Sequence, residues 1–169
     1  MNRTRVRAWL GTVVFLALAP GIVAGLIPWV LTLWRISWSD PWLWPVVIVA
    51  GIAILAGIVV VLDAFIRFAR ADGTPAPPAP TAHLVVAGPY RHVRNPMYLA
   101  VMAVILGQAL LFSSWVTVLY GAIVFVAVVL FVRLYEEPTL ERQYGDEYWE
   151  YRRNVRRWMP RARPWRHAR

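Results

Sequence analysis

The sequence predicts an all-α, polytopic membrane protein with about four transmembrane helices followed by a cytoplasmic amphipathic C-terminal helix. Two observations support this fold class. Of the 169 residues, 59% are hydrophobic and ten are Trp, and the charged residues leave long uncharged runs between them. A soluble domain of this length could not bury so much apolar surface in a single core.

Each predicted span corresponds to an uncharged run. Ala8–Trp34 and Trp44–Leu62 each exceed the roughly 18 residues that mark a transmembrane helix. The run Pro96–Val132 would make a single helix of about 55 Å against a hydrocarbon core of ~30 Å, so it must fold back on itself. A turn at Ser113-Ser114 divides it into a short third span, Met97–Phe112, and a fourth from Trp115 to about Tyr135.

Two features predict how the spans pack. Pro20 and Pro28 should kink the first span, and neighbouring helices should satisfy the carbonyls that they free. The third span is barely long enough to cross the membrane, so we expect other helices to flank it.

The basic residues predict orientation and partners. All 18 are arginine, and the net charge is +9. In the four-span arrangement nearly all lie on one side, whereas the other side has Arg35 with Asp40. The positive-inside rule then places both termini in the cytoplasm, and we expect a bacterial plasma membrane protein. Such a basic face suits anionic membrane lipids, and not nucleic acid.

The chain divides into three parts of one membrane domain. Residues 1–70 hold two transmembrane helices, residues 71–96 a cytoplasmic Pro-rich linker and loop, and residues 97–169 a helical hairpin with the amphipathic C-terminal region. That last region has a helical stripe over Leu140–Trp158, interrupted at Gly145. The absence of cysteine excludes a thiol nucleophile and a disulfide framework, and the three scattered histidines do not suggest a metal site.

Two polar clusters lie at the cytoplasmic ends of the hairpin helices. Before the third span, Asn95 suits an N-cap and Pro96 suits the first helical turn. At the end of the fourth span, Glu136 and Glu137 need cationic partners, and Arg91, Arg94 or a ligand cation are the candidates. Because a hairpin returns both ends to one membrane face, the clusters can line one pocket. The alternative is that these charges snorkel and form interfacial salt bridges.

Four segments in this order resemble the isoprenylcysteine carboxyl methyltransferase and phospholipid methyltransferase superfamily of membrane enzymes. The resemblance implies S-adenosylmethionine as methyl donor in a cytoplasm-facing pocket. It also implies a lipophilic acceptor, such as a prenylcysteine-type carboxylate, a phospholipid amine or another small hydrophobic molecule. The segments are Gly88-Pro89-Tyr90-Arg91, Arg94-Asn95-Pro96-Met97-Tyr98, Glu136-Glu137-Pro138-Thr139-Leu140 and Tyr144–Tyr151.

The resemblance also implies the site residues. Glu136 is expected to face the polar end of the cofactor, and Glu137 to form a partly exposed ion pair. Asn95 stands where many relatives have histidine, and it cannot shuttle a proton; Ala100 stands where glycine is common. The implied cofactor-binding residues are Leu84, Val85, Tyr90, Arg94, Asn95, Pro96, Met97, Tyr98 and Glu136, and the implied catalytic residues are Arg94, Arg133 and Glu137.

Two other functions stay open at this point. Membrane reductases of the sterol and steroid type have similar C-terminal helices, and the arginine-rich tail could receive the 2′-phosphate of NADPH. The third possibility is a non-catalytic membrane scaffold. Binding of S-adenosylhomocysteine compared with NADPH distinguishes the three.

Overall fold

The computed structural model describes residues 10–11, 13–14, 16–36, 43–70, 84 and 86–166. These residues form five helices and no strand, which confirms the predicted all-α class. A short 3₁₀ turn, Gly88–Arg91, precedes the third helix. The helices are α1 (Ala17–Thr32), α2 (Trp44–Arg70), α3 (Pro96–Leu111), α4 (Trp115–Tyr144) and α5 (Asp146–Asn154).

Two of these helices are long and apolar enough to cross a membrane. They are α2, with 27 residues, and α4, with 30. The apolar helices α1 and α3 are shorter than a standard span. Length and composition therefore support two of the four predicted spans. Helix α2 also extends past the predicted end at Leu62, because Asp63 is neutralised one turn later by Arg67 at 2.7 Å.

Helix α3 is the centre of the bundle. It packs antiparallel to α2 and also contacts α4 and α1, and Ile105 at its middle is fully buried. The prediction that other helices flank this short helix is confirmed. The approach to α2 is close: a Cβ atom on Gly57 would lie 2.6 Å from the Ala100 carbonyl oxygen, and one on Gly107 would lie 2.7 Å from Ile54 Cγ1. Small residues at such crossings allow two backbones to touch.

Neighbouring helices bind the α1 carbonyls that Pro28 leaves without a helical donor, as predicted. Helix α1 has a π-helical part, Ala17–Leu26, followed by an α-helical part that begins beside Pro28. Because proline has no N–H, it leaves the carbonyls four and five residues earlier without their helical donor. Gln108 Nε2 of α3 donates to the Ala24 oxygen at 2.7 Å, and the Tyr120 hydroxyl of α4 donates to the Val23 oxygen at 2.8 Å.

The hairpin turn lies where the sequence places it. Ser113 has a left-handed backbone, with φ of 48°, and the Ser114 hydroxyl caps α4 by accepting from the Thr117 N–H at 3.3 Å. The predicted end near Tyr135 is wrong. Helix α4 continues through a π-helical segment, Val132–Glu136, and then as α-helix to Tyr144. Pro138 follows the π-helical segment inside this continuous helix and, having no N–H, cannot donate a hydrogen bond to the preceding turn.

Gly145 separates α4 from α5, as the interrupted stripe predicts. Its φ of 51° is left-handed, a conformation that glycine adopts without strain. Helix α5 ends at Asn154, short of the predicted Trp158. The chain then runs back across the 3₁₀ turn, where the Arg161 N–H donates to the His92 oxygen and the Trp165 N–H donates to the Arg91 oxygen, both at 2.9 Å. The C-terminal segment to residue 166 therefore packs on the 3₁₀ turn, and with the start of α3, the end of α4 and α5 it forms a polar layer of the molecule.

We predict that Gly57→Ala destabilises the bundle whereas Gly51→Ala on the same helix does not. A methyl group at position 57 collides with backbone of α3, which should cost about 1–3 kcal/mol of unfolding free energy. At position 51 there is nothing within 4 Å, so alanine should be neutral or favourable by up to about 1 kcal/mol. Unfolding titrations in detergent compare the two variants. Equal stability would contradict the close α2–α3 contact.

Candidate functional site

A buried carboxylate, Glu137, lies at the centre of the polar layer. Its side chain is 9% exposed. Arg94 Nη1 donates to Oε1 at 2.8 Å, and Arg157 Nε donates to the same oxygen at 2.8 Å while Arg157 Nη2 donates to Oε2. Three separate parts of the chain meet here: the residue pair before α3, the last part of α4 and the segment after α5. The hydrogen bond to Glu137 raises the pKa of Arg157 above its ordinary value.

This geometry corrects the expected environment of Glu137. The sequence suggests a partly exposed pair with one arginine, and the structure has a buried carboxylate with two. Arg94 is a predicted partner. Arg157 was missed because it belongs to a basic run, in which nothing in the sequence singles out one arginine. A buried carboxylate that binds two guanidinium groups stabilises the fold and orients both arginines.

Arg94 makes hydrogen bonds through its backbone and its Nη1, whereas its Nε has no partner among the described residues. Its backbone N–H donates to the Arg156 oxygen at 2.9 Å, and its Nη1 also donates to the Tyr148 hydroxyl at 3.2 Å. The Nε atom is buried and has no hydrogen-bond partner among the described residues. An unpaired donor beside a rigid guanidinium is a place where a ligand oxygen can bind.

Glu136 differs from its neighbour in its partners. Its Oε2 accepts a hydrogen bond from the Tyr98 hydroxyl at 2.9 Å. Within the described ranges no arginine lies within ion-pair distance of it, although two arginines bind Glu137. The prediction that the Arg94 and Glu136 clusters meet at one membrane face is confirmed. Glu136 is therefore a carboxylate of this site that has no cationic partner among the described residues.

Asn95 does not act as the predicted cap. It occupies the N-cap position of α3, but its side chain accepts no hydrogen bond from the helix. Instead Nδ2 donates to the Arg157 oxygen at 3.2 Å. The reason is the C-terminal segment, which crosses this helix end and draws the amide toward itself. Asn95 thus anchors the segment that carries Arg157.

Tyrosines enclose the polar cluster. The Tyr90 ring packs edge-on against Phe68 with centroids 5.7 Å apart, and the Tyr151 hydroxyl donates to the Tyr90 oxygen at 2.7 Å. Burial, together with the Glu137 charge, raises the pKa of Tyr148 to about 12. Burial and the charge of Glu136 also raise the pKa of Tyr90 above its ordinary value. These hydroxyls therefore stay protonated at physiological pH, and the Tyr148 hydroxyl accepts a hydrogen bond from Arg94 Nη1.

The other predicted site residues have different surroundings. Pro96 and Met97 are buried in the first turn of α3, and Leu84 packs against the core of α5 formed around Tyr148. Val85 lies outside the described residues. Arg133 is exposed on the π-helical segment, and in the described part of the chain no hydrogen bond or ion pair joins it to the cluster.

An apolar cavity of about 610 Å³ lies between α1, α2 and α3. Aliphatic side chains make up most of its wall, and Val101, which lies one helical turn beyond Tyr98, is among them. At its far end the Trp34 indole N–H donates to Gln108 Oε1 at 3.3 Å. The wall suits a hydrocarbon chain, because Gln108 and Trp34 satisfy each other.

This chain is similar in sequence to known proteins. The phospholipid methyltransferase family matches residues 45–147, a range that runs from α2 to the start of α5 and includes Arg94, Tyr98, Glu136 and Glu137. An uncharacterised protein of Haemophilus influenzae is 36% identical over 64 residues, which are 37% of this chain and 100% of that protein. No solved structure matches.

We predict that Glu137→Gln lowers stability far more than Glu141→Gln, although both residues lie on α4 and pair with arginine. Loss of the Glu137 charge leaves two arginines without their buried partner, which should cost about 3 kcal/mol. Glu141 meets Arg152 at 3.7 Å with 36% of its side chain exposed, so its loss should cost less than about 1 kcal/mol. Thermal unfolding in detergent measures both. Similar midpoints would show that the buried carboxylate does not hold the layer together.

Proposed function

Because the chain belongs to the phospholipid methyltransferase family, whose members are methyltransferases that act on lipids, we propose that it transfers a methyl group from S-adenosylmethionine to a lipophilic acceptor at the cytoplasmic membrane face. The observation that supports this most directly is a pair of unused groups at the predicted site. Glu136 is a carboxylate without a cation, and Arg94 Nε is a buried donor without an acceptor.

These groups fit the charges of the proposed cofactor. S-adenosylmethionine has an amino-acid end with one ammonium and one carboxylate, and a sulfonium. Glu136 would bind the ammonium and Arg94 Nε the carboxylate, because each lacks a partner of that kind among the described residues. The rings of Tyr90 and Tyr98 would border the sulfonium, since aromatic faces attract cations. Leu84, Val85 and the Asn95–Met97 turn would complete the pocket, as the family resemblance implies.

The chain's own residues position the reactants. When bound, the cofactor supplies an electrophilic methyl group on its sulfonium. Arg94 is held by Glu137, so Glu137 is a positioning residue in this proposal. The buried tyrosines and the C-terminal segment exclude water, and alignment with water exclusion accounts for much of the rate of such a displacement. We assign no proton transfer to Asn95, and Arg133 would meet the acceptor at the membrane surface.

The acceptor would enter from the bilayer. The cavity between α1, α2 and α3 has room for a hydrocarbon segment and an apolar wall. It begins one turn from Tyr98 along α3, so a chain lying there would bring its polar end toward Glu136. A phospholipid amine, a prenylcysteine-type carboxylate and other small hydrophobic molecules share this combination of a polar end and an apolar tail.

We predict that detergent-purified protein binds S-adenosylhomocysteine and that Glu136→Gln weakens this binding roughly tenfold to a hundredfold, since a hydrogen bond to a charged group contributes about 1.5–3 kcal/mol. Glu141→Gln, a matched change on the same helix outside the site, should bind like the wild type. Calorimetric titration measures all three proteins. Binding of NADPH with no response to the sulfur compound would favour a reductase, and binding of neither would favour a scaffold.

We also predict the orientation of the chain, which follows from the arginine distribution. A cysteine placed at Ser113 in this cysteine-free chain should react with an impermeant thiol reagent added to intact cells, and one at Asp146 should not. Both positions are exposed in the structure, so accessibility to the reagent depends only on the side of the membrane. Labelling at Asp146→Cys in intact cells would reverse the orientation, and labelling of both after lysis is the control.

A further inference from the structure

Besides the apolar cavity there is a polar one, which lies near the proposed methyl-transfer site. The proposed reaction gives this polar cavity no role. It has a volume of about 530 Å³ and lies between the end of α2, the 3₁₀ turn and the C-terminal segment. Three of its seven lining residues are arginine: Arg67, Arg91 and Arg166. None of the described lining residues is acidic, so the wall carries a concentrated positive charge.

Specific contacts bring the three arginine residues to one cavity. Arg91 Nε donates to the Trp165 oxygen at 2.7 Å, and the Trp165 N–H donates back to the Arg91 oxygen at 2.9 Å. This reciprocal pair fixes the C-terminal segment against the 3₁₀ turn and places Arg166 next to Arg91. The cavity is thus assembled from three distant parts of the sequence, whereas a run of neighbouring arginines would simply be solvated.

Gly88 gives Arg67 its place in the cavity. The Gly88 φ of 54° is left-handed, and a Cβ atom there would lie 2.4 Å from the Arg67 guanidinium carbon. Only glycine therefore allows the guanidinium to lie against the turn. Arg67 Nε binds Asp63 at 2.7 Å, which neutralises one of the three charges and leaves the cluster with a net excess of two.

We propose that Arg67, Arg91 and Arg166 bind a phosphate group at the membrane surface, supplied by the headgroup of an anionic lipid. Guanidinium groups match phosphate oxygens in geometry and charge, and several around one cavity are a typical phosphate site. Arg67 lies in the last turn of α2, a helix long enough to cross the membrane, so the cavity lies where headgroup phosphates are found. This site is separate from methyl transfer and does not depend on the cofactor.

Lipid binding to the detergent-purified full chain tests the proposal. Native mass spectrometry should show one phosphatidylglycerol retained more tightly than phosphatidylcholine. Arg91→Gln and Arg166→Gln should each weaken phosphatidylglycerol binding about fivefold, the contribution typical of one arginine near an anionic headgroup. Arg153→Gln, an exposed arginine of α5 outside the cavity, should leave it unchanged. Equal effects of all three substitutions, or no preference for phosphatidylglycerol, would overturn the proposal.

Further measurements distinguish a lipid phosphate from a free phosphate, and loss of this site from loss of folding. Inorganic phosphate at constant ionic strength should not raise the thermal midpoint of the lipid-free protein. A rise in the wild type that Arg166→Gln abolishes would overturn the lipid assignment in favour of a free phosphate. Arg166 is exposed, so its substitution should leave the midpoint unchanged without phosphate. S-adenosylhomocysteine binding should also survive Arg166→Gln, which distinguishes failure of this site from failure of the proposed methyl transfer.

Discussion

The buried ion cluster of Glu137 is the interaction on which the polar layer depends. It binds Arg94 at the start of α3 and Arg157 after α5, so one carboxylate joins the helical hairpin to the C-terminal segment. A carboxylate that is 9% exposed would be too costly to bury without these partners. The C-terminal segment lies across the start of α3, where Glu137 binds Arg157 and the Asn95 amide donates to the Arg157 oxygen.

The membrane half of the molecule depends on close contact between α2 and α3. Gly57 and Gly107 let the two backbones touch, and this contact fixes the level of the Arg94 end of α3 relative to the end of α2. Helix α1 is joined to the same bundle through the carbonyls that Pro28 leaves without a helical donor. These carbonyls accept hydrogen bonds from Gln108 and Tyr120. The ends of the helices therefore form one surface, on which polar residues from different helices meet.

The two adjacent glutamates on this surface differ in their partners and, in the proposed function, in their roles. Glu137 has its full set of partners, whereas Glu136 has the hydroxyl of Tyr98 alone as its described partner. One helical step of about 100° turns the two side chains to different sides of α4. The π-helical segment ending at Glu136 helps to set this rotation. In the proposed function one carboxylate holds the arginine and its neighbour receives the cofactor.

The sequence by itself determines the helical class, the turn at Ser113, the break at Gly145 and the meeting of the Arg94 and Glu136 clusters. Each of these follows from a local rule or from hairpin geometry. An uncharged run longer than the membrane is thick must turn back, glycine adopts a left-handed backbone without strain, and a hairpin returns both of its ends to one face. The tertiary structure alone decided which arginine binds Glu137, where the Asn95 amide points, and that α4 continues past Tyr135. The choice of arginine depends on competition between several similar groups for one buried partner, and only the packed C-terminal segment selects Arg157 from its neighbours and turns the Asn95 amide toward it.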